Sequence, residues 1–472
     1  MHYWTLAEVS RAIQERKVSP VDVTRAILDR IEATASRHQA FVTVLADRAL
    51  RQAKQAEAEL ASGFWRGPLH GVPLTAKDII FTDFAPTTAG QVFRRNQVPV
   101  YTATVIERLE RAGAVTIGKV KTVEGAWTEH HVSESTPPNP WNPEYWQGTS
   151  SSGSGVSVAL GLGYGSLGSC TGGSIRMPSQ ACGIVGIKPT WGRVSRHGVY
   201  PLAQSLDHIG PMTRTVEDAA IMLETIAGKD PNDPTSLSAA VPNYHAECMG
   251  NIKGMRIGID REYVFDGTRA DVAEAVNETL RVLIAAGASI HDVKLPSYRD
   301  AIAAWQVQLH MEVALAHAET YPAHKHEYGP ALAGIIEAGQ KLTPAMIAEH
   351  ALRRQIYSTG LDEVFDSVDV ILVPVTPQGV PTRAEAAALR DDIAAEFIKF
   401  TAPFNFSGAP TVTVPAGFGP NGLPIGIQFV GRRLAEAQIC RAGAAFQRLT
   451  DWHTKHPPEG EPGVSTDVTS FH

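Results

Sequence analysis

Cysteine is scarce in this chain of 472 residues: Cys170, Cys182, Cys248 and Cys440 are all it has, and no two stand in C-x-x-C spacing. That excludes a disulfide framework and the common zinc motifs, and it suits reduced thiols in a cytoplasmic protein. Basic charge is also short. Forty-two Lys and Arg against 49 Asp and Glu give a formal net charge of −7, which leaves no electrostatic footprint for direct binding of nucleic acid. No uninterrupted apolar run approaches about 18 residues, so no membrane span is expected. Met1–Leu6 has neither a basic segment nor an apolar run, so no signal peptide is expected either.

Several familiar site motifs fail as well. Gly113–Val120 misses a phosphate-binding loop because Val120 stands where a magnesium-binding Ser or Thr is required. Gly161-Leu-Gly163-Tyr-Gly165 lacks the spacing of a dinucleotide loop. His310, His317, His324 and His326, with Glu312 and Glu319 among them, form no H-E-x-x-H and read as solvated helix faces. Adjacent histidines such as His130-His131 rarely face one site, and these read as a satisfied or exposed pair. No metal and no cofactor is expected.

What is present is concentrated in Gly148–Pro178, GTSSSGSGVSVALGLGYGSLGSCTGGSIRMP. Gly172-Gly173 immediately precedes Ser174. Without Cβ atoms the backbone there can turn sharply, so successive N–H groups can converge beside a nucleophilic hydroxyl as an oxyanion hole. A serine needs a base to take its proton. Ser174 is followed by Ile175-Arg176, so it does not sit in the G-x-S-x-G elbow that histidine-assisted hydrolases use. The other option is a lysine kept neutral by burial. Lys77 fits, in the apolar run Gly71–Ile80 (GVPLTAKDII), read as a buried strand over Val72–Ile80.

HGVPLTAKD, GTSSSGSG, GSCTGGSIRMP and GIVGIKPTWGRVSRHGV occur in this order, and together they resemble the amidase signature family along most of the chain. The resemblance implies a triad with Ser174 as nucleophile, Ser150 as bridging hydroxyl and Lys77 as base. It also implies a cis peptide bond at Thr149–Ser150 and an oxyanion hole from the N–H groups of Thr171, Gly172, Gly173 and Ser174. By position, Trp127 is a candidate wall of the acyl pocket. The chain departs from the family pattern at Thr149 and Ser152, which replace glycines, and at Cys170, where many members carry Asp. Losing that carboxylate obliges Arg176 to find another acceptor, because a buried unpaired guanidinium is costly.

The expected fold is α/β: one large α/β/α sandwich around a mixed twisted sheet, spanning 1–472. Within it, about 1–65 is a helical scaffold, about 66–230 the catalytic core, about 298–365 a variable helical segment at the substrate entrance, and about 455–472 a tail. Ser19-Pro20 and Thr215 are read as helix starts, and Val368–Pro374, Val412–Pro415 and Ile425–Val430 as strands. The expected function is hydrolysis of a linear amide through an acyl-enzyme, acting on a small molecule. The same triad also suits carbamates, ureas and aryl esters, and one subunit type of the tRNA-dependent amidotransferases shares the signature. A homodimer stays open.

Overall fold

The computed structural model describes residues 1–389 and 391–458. Its centre is a mixed sheet of eleven strands: β1 (Phe41–Val44), β2 (Pro73–Lys77), β3 (Val115–Val120), β4 (Gly165–Cys170), β5 (Val185–Lys188), β6 (His208–Thr213), β7 (Arg256–Ile259), β8 (Ser289–Asp292), β9 (Val370–Pro374), β10 (Thr411–Phe418) and β11 (Pro424–Gly431). Their spatial order is β1-β3-β2-β4-β6-β5-β10-β11-β9-β7-β8. β2 runs parallel to β3 and β4, and β7 runs parallel to β8 and β9. Every other pairing is antiparallel. Helices cover both faces, as the α/β/α reading expects.

Burial explains which strands are legible in the sequence. β9 (VILVP) and β11 (PIGIQFVG) are buried along their whole length. A strand covered on both faces reads as a continuous apolar run. The rim strands β1 and β8 hold only exposed and half-buried residues and carry little signal. β6, HIGPMT, is buried but holds Gly210 and Pro211, which sequence patterns count against a strand.

The expected caps form. Ser19 Oγ accepts from the N–H of Val21 at 2.9 Å and of Asp22 at 3.4 Å, and Pro20 opens the helix Pro20–His38. That helix buries Val23, Ile27 and Ile31 at a spacing of four. Thr215 Oγ1 accepts from Asp218 N at 3.1 Å and starts the helix Val216–Ile226.

Two expectations need correction. β2 ends at Lys77 rather than continuing to Ile80, because the N–H groups of Ile79 and Ile80 both turn back to Lys77 O. Ile79 is buried in the core from a turn, and Ile80 from an isolated antiparallel bridge to Val199. The segment 298–365 is helical as expected, with Tyr298–Ala316, Tyr321–His324, Pro330–Gly339 and Pro344–Val364. Its histidines are not all on solvated faces, however. His317 is fully buried, its Nδ1 3.0 Å from the Tyr328 hydroxyl and 3.4 Å from that of Tyr200, and burial pushes its pKa down to about 4. His324 is paired with Glu327, and His326 is exposed. Among the described residues no helix is long and apolar enough to cross a membrane. Of the expected tail, residues 459–472 lie outside the described residues.

Candidate active site

The parallel arrangement of β2 and β4 places their C-terminal ends side by side. β2 ends on Lys77, and β4 runs into the loop Thr171–Ile175. Between them in the chain, Thr149–Ser150 is a cis peptide bond, and Ser151 precedes a helix, Ser152–Ala159, packed against the helix Arg176–Cys182. The close approach needs glycine. A Cβ on Gly148, at φ +86°, would lie 2.3 Å from Pro178 Cα. One on Gly172 would lie 2.5 Å from Trp305 Cζ2.

Lys77 is fully buried, and its Nζ donates to three serine hydroxyls: Ser150 Oγ at 2.6 Å, Ser169 Oγ at 2.8 Å and Ser151 Oγ at 3.1 Å. No carboxylate is among these contacts. Burial disfavours the ammonium and pushes the pKa down to about 7, against smaller opposing effects of Cys170 and Asp207. Lys77 and Ser150 therefore meet as the sequence suggests. Nothing in the sequence marks Ser151 and Ser169 as ligands of the lysine, and only the pairing of β2 with β4 reveals Ser169.

The loop before Ser174 is tied down through its carbonyls. Thr171 O accepts from Trp305 Nε1 at 3.0 Å, Gly173 O from Met177 N at 2.8 Å, and Ser174 O from Ser151 N at 3.3 Å. In a planar trans peptide the N–H points opposite to the preceding carbonyl. The amides of Gly172 and Ser174 are thus turned the other way from the tied carbonyls of Thr171 and Gly173. Thr171 Oγ1 donates to Asp207 at 2.5 Å, whose other oxygen accepts from the N–H groups of Leu202 and Ala203. Burial raises Asp207 to about 6. Neither Trp305 nor Asp207 is signalled in the sequence, since both arrive from distant segments.

Thr171, Gly172, Gly173 and Ser174 all line a cavity of about 800 Å³. Trp127, the candidate wall residue, lines it too, with Trp146, Trp305, Met177, Phe397 and Ile398. His310 and His130 also face it, the latter half-buried with Nε2 3.1 Å from Ser152 Oγ. Burial, reinforced by Lys121, Arg383 and Lys77, pushes His130 down to about 3, so its ring is neutral. His131 is half-buried, its Nδ1 2.8 Å from Ser133 Oγ. The described residues contain no group of three His, Cys, Asp or Glu side chains arranged to hold a metal.

Comparison with known proteins shows the family. The Amidase family model matches residues 22–440. The protein named "Putative amidase AmiD" of Mycobacterium tuberculosis is 43% identical over 457 residues, covering 96% of this chain and 95% of that one. A glutamyl-tRNA(Gln) amidotransferase subunit of Roseiflexus sp. is 38% identical over 486 residues, with 97% and 98% covered. Among solved structures, the peptide amidase of Stenotrophomonas maltophilia superposes with a TM-score of 0.81 at 27% identity, covering 94% of this chain and 96% of that one. On the extent of that family match and the identity along nearly its whole length, this chain belongs to the amidase family, as an amide-hydrolysing amidase signature enzyme.

Proposed function

We propose that this enzyme cleaves a linear C–N amide through an acyl-enzyme on Ser174, with Ser150 as the bridging hydroxyl and Lys77 as the base. The observation that carries this reading is the fully buried lysine whose Nζ contacts only hydroxyls and whose pKa is held near 7. A large share of it is uncharged at neutral pH, the range in which a general base works best. Ser174 Oγ attacks the carbonyl carbon while its proton passes through Ser150 to Lys77. The N–H groups of Thr171, Gly172, Gly173 and Ser174 hold the oxyanion, each such donor being worth about 3 kcal/mol. The tetrahedral intermediate collapses as the proton returns through Ser150 to the departing nitrogen, releasing the amine. Water then attacks the ester with the same relay as base, and the carboxylic acid leaves.

The tryptophan-rich cavity suits an aryl or extended apolar substrate. Carbamates, ureas and aryl esters present the same carbonyl to the same groups and belong to the substrate screen. The reading is of a single-domain cytoplasmic enzyme acting on a small molecule without nucleic acid or membrane. Light scattering would read whether it works as a homodimer.

The test is labelling with a fluorophosphonate or phenylmethylsulfonyl fluoride, followed by intact mass and peptide mapping. A single adduct on Ser174, absent in Ser174→Ala, together with hydrolysis of anilides, is the expected result. Full activity in Ser174→Ala would sink the assignment. The similarity to one component of a tRNA-dependent amidotransferase supports a second reading, in which the chain works with a partner. A folded chain that is neither labelled nor active alone would favour it.

A further inference from the structure

Arg176 opens the helix after the catalytic loop and is fully buried. Its Nη2 donates to Asn405 Oδ1 and, at 3.6 Å, to Cys170 Sγ, and its Nη1 donates to Gln428 Oε1 at 3.3 Å. Its Nε has no partner among the described residues. Both amides are fixed with their oxygens toward the guanidinium, because Asn405 Nδ2 donates to Cys170 O at 2.8 Å and Gln428 Nε2 to Pro374 O at 2.8 Å and Phe400 O at 3.0 Å. A guanidinium stays charged in a protein interior, and a buried charge with only neutral partners is strongly unfavourable.

The groups packed around this charge leave one candidate for its counter-ion. Among the described residues no carboxylate pairs with Arg176. Lys188 donates to Pro189 O and Ala409 O, and burial with Arg176 pushes it far down, toward the neutral amine. Burial likewise keeps His208 neutral. The Tyr263 phenol, pushed well up by burial, donates to Lys399 O. Cys170 is the remaining group in contact that can carry a negative charge.

We infer that Cys170 is a thiolate, ion-paired with Arg176, and that this pair clasps the oxyanion loop and biases the charge of Lys77. Cys170 is the last residue of β4 and Arg176 the first of the helix, so the pair closes the loop Thr171–Ile175 at its two ends. A neutral thiol would donate to Asn405 Oδ1 at 3.7 Å; as a thiolate the sulfur, like Oδ1, accepts from the guanidinium. Burial raises the thiol pKa, but the Arg176 guanidinium and the Ile175 N–H act against it, and the value lies below the ordinary one. Cys170 directly follows Ser169, whose hydroxyl accepts from Lys77 Nζ at 2.8 Å, so the negative sulfur, together with Asp207, favours the protonated form of Lys77.

The first readout uses the unmodified protein. Infrared spectra of the folded enzyme at neutral pH should show S–H stretches from three of its four cysteines, and Cys170→Ser should leave those three unchanged while removing the ultraviolet thiolate band. The kinetic readout rests on the Ser174 reading; the spectroscopic one does not. Cys170→Ser should lower kcat about tenfold to a hundredfold with KM within about twofold, as for a loop displaced from its productive geometry. Its acid limb in kcat/KM should move to lower pH by about half a unit or more, since removing the anion lets Lys77 lose its proton more easily. Cys170→Asp should restore both kcat and the acid limb. Four S–H stretches in the folded enzyme would overturn the thiolate, and an unmoved acid limb in the serine variant would overturn its coupling to Lys77. Thiolate spectra in an enzyme that is active without Ser174 would uphold the pair and reject only the proposed nucleophile.

Discussion

Two lysines lie fully buried on adjacent parallel strands, Lys77 at the end of β2 and Lys119 in β3 beside Ala76. Lys119 Nζ is 3.0 Å from Asp78 Oδ1 and donates to Thr87 Oγ1 at 2.8 Å. Asp78 is held in turn by the N–H and hydroxyl of Thr88. Lys77, one residue before Asp78, has only serine hydroxyls. Burial pushes both pKa values down, but at Lys119 Asp78 pulls the value back up. A carboxylate at 3 Å contributes about 5 kcal/mol at an effective dielectric of about 20, comparable with the several kcal/mol lost on burying an ion. A hydroxyl offers no such compensation. The partner, not the burial, decides which lysine is a structural cation and which can be a base.

Removing the groups on the Lys77 side should have the largest effect. Lys77→Ala and Ser174→Ala should each lower kcat by about 10⁴-fold or more, while Ser150→Ala retains a small residue of turnover, all measured on an anilide under saturating conditions. The contrast between the two lysines can also be erased from the other direction. Ser169→Asp would give Lys77 the carboxylate that Lys119 has, and the acid limb of kcat/KM, expected near pH 7, should climb by more than about one unit. An unmoved limb would mean that another group sets it.

On the Lys119 side the expected loss is of stability. Asp78→Asn leaves a buried ammonium without its counter-ion and should cost about 3–5 kcal/mol, read as a lower denaturant midpoint at unchanged slope. Replacing both members by apolar side chains should recover part of that loss. The smallest effect concerns Lys77 and pH. Its folded value of about 7 lies below its ordinary 10.5, so between these values the unfolded chain binds a proton that the folded chain does not. Stability of the unmodified enzyme should therefore rise with pH across that window. Lys77→Met should be the more stable protein at or below pH 7, by on the order of 2 kcal/mol after its lost hydrogen bonds, with the gap closing toward pH 10.5. A constant gap would place the proton on Lys77 in the folded state.

Much of this site is legible in the sequence because its chemistry is local in the chain. Gly172-Gly173-Ser174 carries its own turn chemistry, and Lys77 announces itself as a single cation in an apolar run. The apolar strands β9 and β11 and the side-chain caps at Ser19 and Thr215 follow from propensity and pattern alone. The helix Arg176–Cys182 is hidden because Pro178 reads as a breaker. Within the first turn, however, its absent N–H has no intrahelical acceptor to lose. His310 and His317 depart from the solvated-face reading because the face that a helix buries depends on what packs against it.

The sequence by itself marked the serine proposed as nucleophile, the buried lysine, the glycines that let the loop close and the alternation of buried strands with capped helices. Each of these depends on residues within a few positions of one another. The tertiary structure decided the charge states. Ser169 reaches Lys77 only through the pairing of β2 with β4, Trp305 reaches the loop from a helix 134 residues away, and Asn405 and Gln428 reach Arg176 from 229 and 252 residues away. Those contacts set which buried groups meet a hydroxyl, an amide, a thiol or a carboxylate. In a low-dielectric interior that choice of partner outweighs anything the neighbours in sequence can supply.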